Sequence, residues 1–288
     1  MSIFISSKAK YTDYCLLRDF YGRDLGGESY FTWKHNGEEL VSGQKSVLYF
    51  KDNEETLGII ISTQYSFVYN HISINTNMIG DLGVANTAGS HSIVKKLLLS
   101  AHCLDVDASI CFSDDRKIAS YNSIFSRYLN TSNQIIPYDE ITLETFHATE
   151  EFTIRPLDSL NLKAFSNNLG RVKDQDYITY LLKHPLYQNI FYIQHNNFIA
   201  IFGLTADYVE ILDISGTSSE QLCWAIRASN QFHHKCKVLL PRSRSILLYQ
   251  ATGTPTEIKP INMMISWYAP PKYIFDPDNT WICRLDRR

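Results

Sequence analysis

The residues whose types and spacing best suit chemistry lie in one stretch, Gly80 to Ser100, "GDLGVANTAGSHSIVKKLLLS". The end of an apolar strand runs into small and polar residues and then into a helical pattern. A loop of this kind offers an anion the unpaired N–H groups of a helix start and the positive end of its dipole, so the chemistry it suggests is phosphate binding. Ser90 and Ser92 suit the first turn, where each hydroxyl caps a backbone donor or meets a phosphate oxygen. His91, Lys95 and Lys96 add donors and positive charge. The same residues also fit an ordinary helix cap, and the sequence leaves both open.

Other groups carry less. "HHK" (His233 to Lys235) and "AHC" (Ala101 to Cys103) contain metal-ligating types, but neither has paired ligands at a credible spacing elsewhere, and no metal is expected. No GxSxG, HExxH or P-loop motif occurs. Trp33, Tyr30, Tyr177 and Tyr187 form an aromatic theme of the sort that stacks on a sugar or a base, although such residues more often fill a core.

These groups need elements to position them. "KSVLYFKD" (Lys45 to Asp52) reads as a strand, joined by the turn "NEET" to a long apolar strand "LGIIISTQYSFVYN" as a hairpin. "SINTNMIGDLGVA" follows as a third strand, then the loop and helix, a strand "ASICFSDD" and a helix "RKIASYNSIFSRYL". The second half repeats the order. "DQDYITYLLKHPLY" stands where "ESYFTWKHNGEEL" stood, "NIFYIQHN" and "FIAIFGLTAD" form the next hairpin, and "YVEILDISG" takes the place of "NMIGDLGVA". A helix "SSEQLCWAIRASNQFH", a strand "KCKVLLP" and a short helix "RSILLYQAT" complete it. The expectation is two copies of one mixed α/β unit, residues 1–145 and 146–288, with a linker within Pro137 to Leu157. A single large α/β domain is the alternative. The tail from Ile261 alternates like a final hairpin, with its prolines in the connection.

Composition sets the outer limits. The 288 residues carry a formal charge of −3, which gives no broad attraction to nucleic acid or anionic lipid. Six cysteines without a CxxC suggest neither a zinc knuckle nor a disulfide framework, and are read as reduced thiols in a cytoplasmic protein. No apolar run approaches the roughly 20 residues of a spanning helix, and the N-terminal apolar stub is too short for a signal peptide. A monomer or homodimer is expected.

The order of elements resembles the GNAT acyltransferase fold. "GDLGV" is similar to the Asp-Leu-x-Val that ends that family's fourth strand, and "NSIFSRY" (Asn122 to Tyr128) to its late Asn-then-Tyr helix. "YFTWKHN" and "YITYLLKHPLY" are similar to the Trp-Arg/Lys-Tyr-then-Pro segment of tandem GNAT proteins found with surface-polysaccharide genes. The resemblance implies acetyl-CoA as co-substrate and direct attack of an amine on the thioester. It matches the Val84 backbone N–H to the oxyanion donor, Tyr128 to the tyrosine that protonates the leaving thiolate, one residue nearer Asn122 than is usual, and Asn122 to the asparagine that contacts the cofactor. Tyr121 is the fallback acid. Asp81 becomes the base or amine orienter, or else a carboxylate satisfied by loop amides, and His71 a proton relay. Val84, Ala85, Gly89, Ser90, His91 and Ser92 are the implied cofactor contacts. The family's Arg/Gln-x-x-Gly-x-Gly/Ala loop is not kept: without a gap its glycines fall on Ser92 and Val94, and with one Gly89 serves and Asn86 replaces Arg/Gln.

The second copy's loop, "DISGTSSEQL", has one glycine and no basic residue, and Glu220 at its helix start suits a bare terminus and repels a phosphate. The first copy is therefore expected to hold the cofactor and the second to be structural or to shape the substrate pocket. The implied acceptor is the amino group of a nucleotide-linked amino sugar, with Trp33 and Tyr177 against it. A FemX-like aminoacyl transferase and a non-catalytic scaffold stay open; the weakly acidic charge disfavours tRNA.

Overall fold

The computed structural model describes residues 2–13, 15, 27–36, 45–86, 89–102, 105–146, 152–160, 169–171, 173–216, 218–271, 273–277, 280 and 282. Two compact units emerge. The first comprises Met1–Ser66, Ile74–Ile135 and Met264–Tyr273, and the second Phe67–Ser73, Ile136–Met263 and Ile274–Arg288.

In the first unit, strand β1 (Ser2–Ser6) pairs antiparallel with β2 (Lys45–Asp52), which pairs antiparallel with β3 (Glu55–Tyr69), most of which belongs to this unit. Between β1 and β2 in sequence lies helix α1 (Gly27–Asn36), whose Glu28 at the start and Lys34 and His35 in the last turn each complement the helix dipole. Beyond β3 come most of β4 (Ile72–Val84), helix α2 (Ser90–Ser100), β5 (Ala108–Ser113) and helix α3 (Asp115–Tyr128). Strand alternation divides the core in two. Val47, Tyr49, Ile59 and Ile61 pack with Phe31 of α1, while Leu48, Phe50 and Ile60 pack with Ile93, Leu97 and Leu98 of α2 and Ile118, Ile124 and Phe125 of α3. Gly58 lets α2 seat closely on β3, since a Cβ there would lie 2.9 Å from Leu97 Cδ1 and 3.0 Å from Ile93 Cγ2.

The second unit holds most of β6 (Ser132–Thr145), β7 (Ile154–Pro156), β8 (Gly170–Arg171), helix α4 (Gln175–Leu182), β9 (Asn189–His195), β10 (Phe198–Leu204), β11 (Val209–Ile214), helix α5 (Ser219–Ser229), β12 (Lys235–Pro241), helix α6 (Arg242–Thr252) and most of β13 (Gly253–Trp267). Its strands run in the order β13-β6-β12-β11-β10-β9-β7. The β9–β10 hairpin closes on two residues, with Asn196 left-handed at φ 53° as such turns require. As with β4 and β5 of the first unit, β11 and β12 form the unit's parallel step within an otherwise antiparallel arrangement. The order helix, three strands, helix, strand, helix, strand therefore occurs twice along the chain.

Two segments differ from expectation. Residues 137–145, expected in a linker, are strand β6, because Ile136, Tyr138, Ile141 and Leu143 bury while Asp139 pairs with Arg242 and Ser245. The first arm of the expected final hairpin belongs to a longer strand that starts at Gly253, its first half largely exposed and its second half buried, and the second arm lies outside the described residues apart from 280 and 282. Among the described residues no helix is long and apolar enough to cross a membrane.

Candidate active site

The opening stretch begins inside β4, and the strand is irregular there. β4 pairs in parallel with β5 from Thr76↔Ala108 to Ile79↔Cys111 and no further, although β4 continues to Val84 and β5 to Ser113. Asp81, two residues past the last pair, is left-handed at φ 49°, a state that costs a non-glycine residue about 1–2 kcal/mol. Ile79 before it and Leu82 and Val84 after it join the same core. An odd position followed by even ones on one face means that an extra residue is taken up at Gly80–Asp81, as in a β-bulge.

The bulge turns the Asp81 side chain away from α2, toward α1. Lys34 Nζ donates to Oδ1 at 2.9 Å and lies 2.6 Å from Oδ2, while His35 Nε2 sits 3.0 Å from Oδ2. The Asp81 and His35 side chains are only 8% and 3% exposed, and Lys34 15%. Burial alone would push the carboxyl up. The Lys34 charge, with His35, overrides it and holds Asp81 far below the ordinary carboxylate range. So held, it is a weak base near neutral pH, and its partners are side chains of α1 rather than loop amides. The sequence shows the Lys-His pair and the aspartate, but not that they meet across 47 residues.

Past Val84 the chain enters the loop. Ala85 gives its N–H to the Leu57 carbonyl at 2.9 Å, so that donor is used within the sheet. Thr87 and Ala88 lie outside the described residues. Gly89 is left-handed at φ 96° and stands at the N-cap of α2 with no side-chain cap, and its own carbonyl accepts from Ser92 and Ile93. The N–H groups of Ser90 and His91 have no partner among the described residues. No acid stands in the first turn, and a Cβ on Gly89 would meet nothing within 4 Å.

The corresponding start of α5 is built the other way. The Ser218 hydroxyl accepts from Gln221 N–H and the Gln221 side chain accepts from Ser218 N–H, both at 3.2 Å, which closes a capping box. Glu220 occupies the first turn, and Gln221 fills the space over Gly216, where a Cβ would lie 2.4 Å from its Oε1. One helix start has neither a side-chain cap nor an acid, and the other has both.

Tyr128 closes α3 and is half-exposed, with Lys95 Nζ of α2 at 3.6 Å from its ring centroid. Hydrogen bonding to Lys95 and the charge of that lysine lower its phenol below the ordinary value. The structure thus brings Tyr128 to the helix that follows the loop. Tyr121, by contrast, is buried, and burial pushes its phenol up. The Asn122 side-chain oxygen accepts from Asn133 at 2.8 Å. His71 stands in the β3–β4 turn at φ 65°, so nearly the whole of β4 separates it from Asp81. Trp33 stacks on Tyr30 at 5.8 Å and is buried, as is Tyr177, which lies in the other unit.

No family model matches the chain, and no curated protein matches it. Solved structures do. A GCN5-related N-acetyltransferase from Kribbella flavida superimposes with a TM-score of 0.54 at 12% identity, covering 92% of this chain and 70% of that one. N-myristoyltransferase from Saccharomyces cerevisiae with bound myristoyl-CoA gives 0.57 at 11% identity, over 100% and 84%. A conserved protein of unknown function from Enterococcus faecalis V583 gives 0.58 at 11% identity, over 92% and 72%. At such identities the likeness concerns the backbone alone: the chain has the mixed α/β fold of the GCN5-related N-acetyltransferases, with its order of elements present twice.

Proposed function

We propose that the protein is an acyl-CoA-dependent N-acyltransferase whose first repeat, residues 1–145, holds the acyl donor, with acetyl-CoA as the donor. The observation that carries this reading is the contrast between the two helix starts: α2 begins behind a left-handed glycine with open space over it, no side-chain cap and no acid in its first turn, whereas α5 carries a side-chain capping box and Glu220. The pairing of β4 with β5 also ends at Ile79, before either strand does. When bound, the donor would supply an activated thioester acyl group.

In this reading Gly89, Ser90, His91 and Ser92 hold the pyrophosphate through backbone donors, hydroxyls and dipole. Val84 N–H faces the developing oxyanion, a donor type whose loss costs roughly 10²- to 10³-fold in rate. Tyr128, its phenol lowered by Lys95, gives a proton to the leaving thiolate. Asn122 stays a cofactor contact. Asp81, too weak a base, serves as an anchor and orienter, so the amine's proton passes to solvent water, with His71 too far along β4 to accept it directly. The acceptor we put forward is the amino group of a nucleotide-linked amino sugar. It rests on the resemblance of the aromatic-basic segments alone, since Trp33 and Tyr177 are buried among their neighbours.

Calorimetric titration with acetyl-CoA tests the core of this reading. One site per chain at micromolar affinity, lost in Gly89→Glu, is the expected result. No heat from a folded protein, or two equal sites, would overturn it in favour of a scaffold or of a donor held by both repeats.

A further inference from the structure

We infer that Lys34 and His35 act as a two-armed latch on Asp81, holding β4 in its kinked course away from β5 before any ligand arrives. Both are positioning residues, and their bearing on catalysis rests on the acyl-transfer reading above.

The kink needs something to hold it. A strand with a left-handed aspartate relaxes toward regular pairing unless its surroundings fix it, and here β4 and β5 stop pairing just before that residue. Lys34 and His35 are consecutive on α1, so their side chains leave the helix about 100° apart and reach one carboxylate from two sides. A carboxylate held at one point can swing; held at two it cannot. The latch is itself anchored. Phe31, one turn before His35, packs with its ring centroid 4.8 Å from the imidazole and lies in the core against β2 and β3.

The second unit serves as an internal comparison. Asp213, at the matching place on β11, is also buried and lies 3.1 Å from a lysine, Lys173, which stands just before α4. His184, which matches His35 in the repeat, accepts Leu186 N–H on Nδ1 at 3.2 Å and packs on Tyr187 at 4.3 Å. Asp213 is not left-handed, and its Oδ1 accepts the N–H of Ile214. The lysine tether is therefore common to both repeats. What sets the first unit apart is the left-handed aspartate, and it occurs in the unit whose helix start has no side-chain cap and no acid.

The test compares the wild type with Lys34→Met, His35→Gln and the conservative Lys34→Arg, by hydrogen exchange of peptides and by acetyl-CoA titration with thiol-detected CoA release, water being the acceptor. The latch predicts that amides of residues 80–85 exchange at least 10-fold faster in Lys34→Met and His35→Gln, while α2 and the second unit stay within 2-fold. It also predicts acetyl-CoA affinity within about 3-fold of wild type but CoA release at saturation down about 10-fold or more, partly restored in Lys34→Arg. Exchange that is unchanged at 80–85, or faster everywhere alike, overturns the latch. If the wild type binds no acetyl-CoA, the acyl-donor reading fails while the exchange comparison still decides whether the latch exists.

Discussion

Gly58 links the sheet to the helix that carries the candidate phosphate site, and Gly58→Ala tests that link quantitatively. The added Cβ would lie 2.9 Å from Leu97 Cδ1, 3.0 Å from Ile93 Cγ2 and 3.3 Å from Val84 Cγ2. All three belong to one packed core, so α2 must lift as a body rather than one side-chain tip giving way. Overpacking of this kind costs about 1–3 kcal/mol, and removing a glycine from the unfolded chain returns about 0.4–1 kcal/mol. The net is a loss of about 1–2 kcal/mol. For a chain of this size that lowers the melting temperature by roughly 2–8 °C. Because Val84 and Ile93 flank the loop at its two ends, the same shift should weaken acetyl-CoA binding. Gly80→Ala is the control for stability, since its Cβ meets nothing within 4 Å, and it should melt no lower than the wild type. Calorimetric melting of both variants decides the matter. A Gly58→Ala protein as stable as Gly80→Ala would show that α2 is not seated on β3 as described, and the geometry of the loop would lose its support.

Two further outcomes follow from the electrostatics. Asp81→Asn leaves Lys34 and His35 without their buried counter-charge and should cost about 3–5 kcal/mol at pH 7; because the folded carboxyl lies far below its unfolded value, that stability is full above about pH 5 and fades as the pH falls below about 4. Melting scans against pH should therefore show the deficit of the variant shrinking in acid, and a deficit constant down to pH 3 would contradict the ion pair. Ultraviolet titration, read as the difference between wild type and Tyr128→Phe, should place the Tyr128 phenol below the ordinary tyrosine value and return it upward in Lys95→Met; no change on removing Lys95 would deny the contact.

What could be read from the sequence was what depends on neighbours in the chain. β2 falls on the expected Lys45 to Asp52, because alternating Val47, Tyr49 and Leu48, Phe50 mark both faces of a strand. The difference between the two helix starts was also readable, since Ser218 and Gln221 cap their own helix within four residues, with the acid Glu220 between them, while Gly89 to Ser92 have no such set. β6 was hidden for the opposite reason. Pro137, Asp139 and Glu140 look like a turn, but Asp139 is satisfied by Arg242 and Ser245 more than 100 residues away, and so a polar residue sits within a strand. The first half of β13 is exposed and carries prolines at 255 and 260, which masks a strand until the apolar run at Met263.

The same distinction governs the site. Asp81 was visible as a carboxylate beside a loop, and a carboxylate beside a loop is a natural candidate base. Its basicity, however, is set by Lys34 and His35, which the fold delivers from a helix 47 residues upstream. A residue type states which protons it can exchange; its surroundings decide whether it does so at neutral pH. Trp33 and Tyr177 make the same point from the apolar side, since an aromatic ring becomes a binding face only where the fold leaves it uncovered, and both are covered. The candidate phosphate loop differs because the donors it offers are backbone N–H groups, made available by a local event, the start of a helix behind a left-handed glycine. A sequence can announce that event directly, which is why the loop is the part of the site on which the functional reading rests most securely, and why Gly89→Glu is its sharpest test.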